Sequence, residues 1–332
     1  MIIIGHALEE LKRLESKSVN CCVTSPPYWG LRDYGHPGQL GLEKTPDEYV
    51  EKMVEIFREV SRVLRDDGTL WLNLGDSYMS NPNPDDGDKK YMNGRQRFDR
   101  PNTKRIPGIK QKDLVGIPWR VAFALQDDGW YLRQDIIWAK PNPMPESVKD
   151  RCTKAHEYIF LMSKNPKYYF DNEAIKEPAG EKGNANSFRG GCYVNGNIDN
   201  ATMGKRTVSG NTKKRPSAPK GSFNGKTEAM AGTGQNAFRA VTDMRNKRSV
   251  WTVSTKPYKG AHFATFPPDL IEPCILAGCP SDGVVIDPFC GSGTVGAVAK
   301  KSGRDFILIE LNPEYKPLID KRLESAHYQS SF

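Results

Sequence analysis

Val284-Val285-Ile286-Asp287-Pro288-Phe289-Cys290-Gly291-Ser292-Gly293-Thr294-Val295-Gly296 reads as an apolar strand that runs into a glycine turn and then into a helix. Gly291 and Gly293 let the backbone turn tightly and approach a ligand, and the start of the helix offers unpaired N–H groups to a carboxylate or phosphate. Nineteen residues after Gly291, Glu310 closes the next apolar run, Asp305 to Glu310. A carboxylate there is placed to accept hydrogen bonds from a ribose diol, so the natural ligand is a nucleoside cofactor. As a bare Gly-x-Gly-x-x-Gly the turn suits NAD equally well. Its position in the chain weighs against NAD. Only 36 residues follow Gly296, enough for helix, strand and helix, so the remaining parallel strands must come from the N-terminal part.

That part alternates in the required way. Ile2 to Ile4 reads as a strand, Ala7 to Leu14 as a helix and Val19 to Val23 as a buried strand. Asp47 to Leu64 carries a helical apolar stripe after a Thr45-Pro46 start, and Gly68 is expected to end it before a strand at Thr69 to Leu74. A helix at Ile117 to Gln126 and strands at Gln134 to Trp138 and Tyr158 to Met162 follow. After Trp251 come helices at Pro268 to Ala277, Thr294 to Lys301 and Pro313 to about Ser325, around strands at Gly283 to Asp287 and Asp305 to Glu310.

The strand at Val19 runs into Ser25-Pro26-Pro27-Tyr28-Trp29-Gly30. Proline lacks an N–H and fixes φ, and Pro27 pushes Pro26 toward extended geometry, so the Ser25 and Pro26 carbonyls are held in a stiff turn. A hydroxyl, fixed carbonyl acceptors and the Tyr28 ring together suit a planar base with an exocyclic amine to hydrogen-bond and a π face to stack on. A Ser-Pro turn that merely caps a strand has the same local pattern.

With 332 residues and 37% hydrophobic content the chain can build a sizeable core. Its net charge of +8 and pI near 9.0 point to a polyanionic partner. Residues 179–248 hold 13 Lys or Arg against 4 Asp or Glu, with eleven glycines, and read as a basic element that orders on DNA or as a disordered linker. Residues 80–113 are a second polar stretch, with nine Lys or Arg against five Asp. No run approaches a membrane span and no signal peptide is recognisable, so a cytoplasmic protein with no membrane partner is expected. Seven cysteines without a Cys-x-x-Cys pair and five scattered histidines signal neither a disulfide framework nor a metal site.

With Ser-Pro-Pro-Tyr early and Asp-Pro-Phe-x-Gly-x-Gly late, the chain resembles the amino-methylating DNA methyltransferases, in the subgroup whose catalytic half precedes the AdoMet-binding half. The resemblance covers most of residues 1–78, 116–170 and 250–325. It implies a three-layer α/β sandwich of Rossmann-like methyltransferase type, mostly parallel with one reversed strand. Residues 1–178 would form the catalytic half, 179–248 a basic target recognition insertion and 249–332 the AdoMet-binding half. Ser25, Pro26, Pro27 and Tyr28 match the family's catalytic motif. The S-adenosyl-L-methionine site it implies comprises Asp287, Pro288, Phe289, Gly291, Ser292, Gly293 and Thr294, then Glu310 and Asn312, with Thr265 and Phe266 from the loop His262-Phe263-Ala264-Thr265-Phe266-Pro267. The family commonly has Asp after the first strand's glycine; His6 stands there and is left out of the site. The stretch from Gln134-Asp135-Ile136-Ile137-Trp138 through Asp150-Arg151, and His156-Glu157-Tyr158, are assigned structural or base-pocket roles.

The implied activity is methyl transfer from AdoMet to the exocyclic amine of a flipped base in double-stranded DNA, with no metal. Carbon methylation would need a Pro-Cys turn after the cofactor motif, whereas Pro273-Cys274 precedes it, within a helix. Ser25 before Pro26 favours N4 of cytosine, with N6 of adenine as the alternative. A restriction-modification or phage modification role, a cognate restriction endonuclease and a homodimer are left open, as is a DNA-binding protein that keeps the fold without activity.

Overall fold

The computed structural model describes residues 1–31, 33–79, 108–178, 244–256 and 266–327. The chain divides into two compact units, residues 1–175 with 248–332, and residues 176–247. In the first unit β1 (Ile2–Ile4), α1 (Ala7–Arg13) and β2 (Val19–Thr24) come first, and α2 (Pro46–Val63) leads into β3 (Leu64–Leu74). α3 (Ile117–Asp127), β4 (Tyr131–Ala139) and β5 (His156–Ser163) follow. In the second unit β6 (Glu177–Pro178) pairs antiparallel with β7 (Met244–Arg245), and Arg245 bonds Glu177 at 2.9 Å. The chain returns to the first unit with β8 (Val250–Thr252), α4 (Pro268–Gly278), β9 (Val284–Asp287), α5 (Thr294–Lys301), β10 (Asp305–Glu310) and α6 (Lys316–Glu324).

Among the described residues eight strands form one sheet in the order β1-β10-β9-β2-β3-β5-β4-β8. β5 is the reversed strand, antiparallel to both β3 and β4. The pleat sorts side chains between two cores. Cys22, Leu70, Leu72, Phe160 and Ile286 face one side with Leu11 of α1, Tyr49, Met53, Phe57 and Val60 of α2, and Val121 and Leu125 of α3. Cys21, Val23, Trp71, Ile159, Leu161 and Val285 face the other, with Leu270 and Ile275 of α4, Val295 of α5 and Ile319 of α6. The result is the expected three-layer sandwich, with both central motifs drawn to the carboxyl edge of the parallel strands.

Several boundaries differ from the sequence reading. α2 stops at Val63 and the chain becomes extended at Leu64, with a register shift between Val19/Leu64 and Cys21/Thr69. Gly68 therefore lies in that irregularity and is no helix cap; a Cβ there would come within 3.1 Å of the Arg65 and Asn20 carbonyls. The last helix is preceded by a separate 3₁₀ turn, Pro313–Tyr315, which the Asn312 side chain caps by accepting from Glu314 N at 2.9 Å. β8 is only three residues long, too short for a period to show, yet it extends the sheet beyond β4. No helix among the described residues is long and apolar enough to cross a membrane.

Candidate active site

β2 and β9 are neighbours in the sheet, paired through Cys21↔Val285 and Cys22↔Ile286. The two sequence motifs begin where these strands end, and a buried hydrogen bond joins them: Thr24 Oγ1 donates to Asp287 Oδ1 at 2.6 Å. Asp287 Oδ1 also accepts from Phe289 N at 3.1 Å, so this carboxylate shapes the turn from inside. Its burial pushes its pKa up to about 7, against the favourable Thr24 and Phe289 bonds and assisted by the nearby Glu310.

The Ser25-Pro26-Pro27-Tyr28 turn is tied down from several directions. Tyr49 of α2, fully buried, donates to the Pro27 carbonyl at 2.9 Å. Gly30 N bonds Gly41 O at 2.9 Å, and Trp29 Nε1 donates to Glu43 O at 3.0 Å. Two glycines make room for Tyr28. A Cβ on Gly75 would lie 2.5 Å from Tyr28 Cε2, and one on Gly41, whose φ is +94°, 2.8 Å from the Tyr28 carbonyl.

The Tyr28 hydroxyl sits among three polar groups, Glu157 Oε2 at 2.8 Å, Asn73 Oδ1 at 3.1 Å and Ser25 Oγ at 3.2 Å. Asn73 Nδ2 is committed to Tyr158 O at 3.0 Å, which turns its oxygen toward Tyr28. Glu157 Oε1 is paired with Lys140 Nζ, and that ammonium lies 4.2 Å above the centre of the Trp138 ring. Burial, then the Glu157 charge, push the Tyr28 hydroxyl well above the ordinary phenol range, so it stays protonated.

In the cofactor turn, Gly291 and Gly293 take φ of +51° and +77°. Gly293 packs on α6, where a Cβ would meet Ile319 Cγ2 at 2.9 Å; beside Gly291 a Cβ would find no described atom within 4 Å. Gly291 N donates to Glu310 Oε2 at 2.8 Å, while Asn312 N donates to Glu310 Oε1 at 2.9 Å. A carboxylate has about four acceptor positions, so both oxygens retain capacity for a diol. Burial raises the Glu310 pKa, partly offset by those N–H groups. An open glycine cradle beside a backbone-held carboxylate fits the ribose of a nucleoside cofactor.

The predicted residues thus divide. Ser25 to Tyr28, Asp287, Phe289, Gly291, Gly293 and Glu310 come together at one edge of the sheet. The Ser292 and Thr294 side chains are buried and turned to Arg322 of α6, Thr294 Oγ1 at 2.6 Å, so what they leave for a ligand is backbone. Phe266 is partly buried and packs against the core cluster to which α4 and α5 contribute. Thr265 lies outside the described residues, as does most of 179–248. Asn73, Gly75, Tyr49 and Arg322 contact the site and carry no signal in the sequence, whereas Lys140 and Glu157 lie in the stretches given structural or base-pocket roles.

The N6/N4 DNA methylase model matches residues 19–321. The Type II methyltransferase M.XycI of Xanthomonas campestris pv. cyanopsidis is 46% identical over 97% of this chain and 87% of its own. M.Cfr9I of Citrobacter freundii is 45% identical over 96% and 86%, and M.SmaI of Serratia marcescens 45% over 97% and 90%. The solved PvuII cytosine-N4-specific DNA methyltransferase superposes with a TM-score of 0.59 at 20% identity, over 97% of this chain and 85% of that one. A Thermus thermophilus DNA modification methylase complexed with S-adenosyl-L-methionine gives 0.53 at 21%, over 97% and 93%. The folds are the same, and the sequence match is nearly full-length: this chain belongs to the N6/N4 DNA methylase family, AdoMet-dependent enzymes that methylate an exocyclic amino group of DNA.

Proposed function

We propose that the chain is the modification enzyme of a restriction-modification system, methylating N4 of cytosine at a specific DNA site in the cytoplasm alongside a cognate endonuclease. The observation that carries the site assignment is the Thr24–Asp287 hydrogen bond, which locks the Ser-Pro-Pro-Tyr turn against the cofactor turn on adjacent strands. The Type II methyltransferase relatives support the modification role, and Ser25, together with the cytosine-N4 specificity named for the PvuII enzyme, supports the choice of atom.

In this reading the flipped base donates its amino hydrogens to Ser25 Oγ and the Pro26 carbonyl while the Tyr28 ring lies on its face. Those bonds draw the nitrogen lone pair out of conjugation and aim it. AdoMet, when bound, supplies an electrophilic methyl group. Gly291 leaves room for it, and Glu310 holds its ribose. Residues 179–248 supply recognition of the DNA site. Incubation with AdoMet and DNA, followed by hydrolysis and nucleoside separation, is expected to give N4-methylcytosine in one sequence context. N6-methyladenine alone would overturn the choice of atom, and no methylated nucleoside the whole reading.

A further inference from the structure

A hydroxyl in the first position of the catalytic turn is a weak proton acceptor, yet the amine must lose a proton once it has gained a methyl group. The structure shows where that proton can go. The Glu157 carboxylate oxygen Oε2 and Asn73 Oδ1 are both acceptors, so the single Tyr28 hydroxyl proton is drawn to that pair, with the shorter contact, 2.8 Å, to Glu157. The Tyr28 oxygen then presents a lone pair to Ser25, whose own proton points at it across 3.2 Å. Ser25 Oγ is left with its lone pairs directed away from the chain of bonds, as an acceptor. Glu157, 129 residues from Tyr28, therefore fixes the polarity of a residue it does not touch.

We propose that Glu157 is the terminal proton acceptor of a Ser25–Tyr28–Glu157 relay and the positioning residue that makes Ser25 an acceptor toward the target amine. This rests on the catalytic reading of Ser25 given above. As the nitrogen–carbon bond forms and the methyl–sulfur bond breaks, sulfur keeps the bonding pair and the positive charge moves to the amine. The amine proton passes to Ser25 Oγ, the Ser25 proton to Tyr28 Oη and the Tyr28 proton to Glu157 Oε2, which ends as a neutral carboxyl. Tyr28 carries the proton without holding a charge. Glu157 is held in place by its surroundings. It is faced by Tyr28 from the β2 turn, by Asn73 from β3 and by Lys140 from the end of β4. Lys154 of the β4–β5 connection adds a second cation nearby, bonded to the Asp76 carbonyl at 2.7 Å. With its side chain about 16% exposed, Glu157 stays within reach of water for release of the proton.

The test is single-turnover methylation at one fixed pH, with AdoMet binding by calorimetry and DNA binding by anisotropy on the same variants. Glu157→Gln should slow methyl transfer about 100-fold, in the range general-base catalysis supplies. It should leave both affinities within about twofold. Glu157→Asp should recover part of the rate. Tyr28→Phe keeps the ring and removes the hydroxyl, and should lose as much as Glu157→Gln; the double variant should lose no more than either, as members of one chain do. The relay is overturned if Glu157→Gln keeps the parent rate or if the two losses multiply. Should Glu157→Gln fail to fold, a parent rate in Tyr28→Phe overturns the relay by itself. Full activity in Ser25→Ala would instead remove the catalytic reading on which the relay rests.

Discussion

Glu310 is held by the Gly291 and Asn312 N–H groups, so in the proposed role as ribose acceptor its geometry is preset and its removal should be felt as lost binding. Glu310→Ala should weaken AdoMet binding by about 1.5–3 kcal/mol, roughly 10- to 150-fold, as for lost charge-assisted hydrogen bonds; calorimetry checks this. Gly75 acts through Tyr28. A methyl group 2.5 Å from Cε2 must displace the ring, so Gly75→Ala should lower single-turnover methylation about 10- to 100-fold with AdoMet affinity kept. Asp287 gives a pH dependence of known sign. Its folded pKa, about 7, lies above the ordinary 3.8, so the folded state binds the extra proton between those values. Its contribution to stability is complete below about pH 4 and is lost as pH rises through 7, about 4 kcal/mol in all. Urea unfolding of the ligand-free protein from pH 4 to 8 should show that decline, and Asp287→Asn should flatten it.

At the scale of elements, α2 does two things for the site. Its start is set by Thr45, whose side chain accepts from Glu48 N at 3.1 Å, with Pro46 in the first turn. One turn in, Tyr49 reaches the Pro27 carbonyl. Tyr49→Phe keeps the ring in the core and strands that carbonyl, which should cost about 1–2 kcal/mol of stability and lower methylation while AdoMet binding persists; chemical denaturation and single-turnover rates report the two effects. α6 serves the cofactor turn similarly. Arg322 satisfies the buried hydroxyls of Ser292 and Thr294, which is why those two side chains brace the turn from behind.

For the whole molecule, the proposed assignment of DNA recognition to residues 179–248 makes a separable prediction. Deleting residues 185–240 should abolish site-specific DNA binding, reduce the salt dependence of binding and leave AdoMet affinity nearly intact, read by anisotropy at several salt concentrations and by calorimetry. The amino-acid sequence by itself determined the alternation of strands and helices, the two turns and their order in the chain. Each of these rests on chemistry local to a few residues: proline stiffness, glycine at positive φ and apolar periodicity. Glu310 was legible too, because it lies one strand and a fixed count of residues from its glycine. Tertiary structure alone decided what faces those turns. Asn73 and Glu157 meet Tyr28 because β5 runs antiparallel beside β3, pairing Asn73 with Ile159 and Leu74 with Tyr158, and no local rule selects that partner. The same holds for the hydroxyls of Ser292 and Thr294, whose direction was set by an arginine on a later helix, and for Tyr49, which a helical stripe marks only as core. Side chains distant in sequence find one another only through the packing of whole elements, and here that packing built the polar surroundings of a turn that the chain had already spelled out.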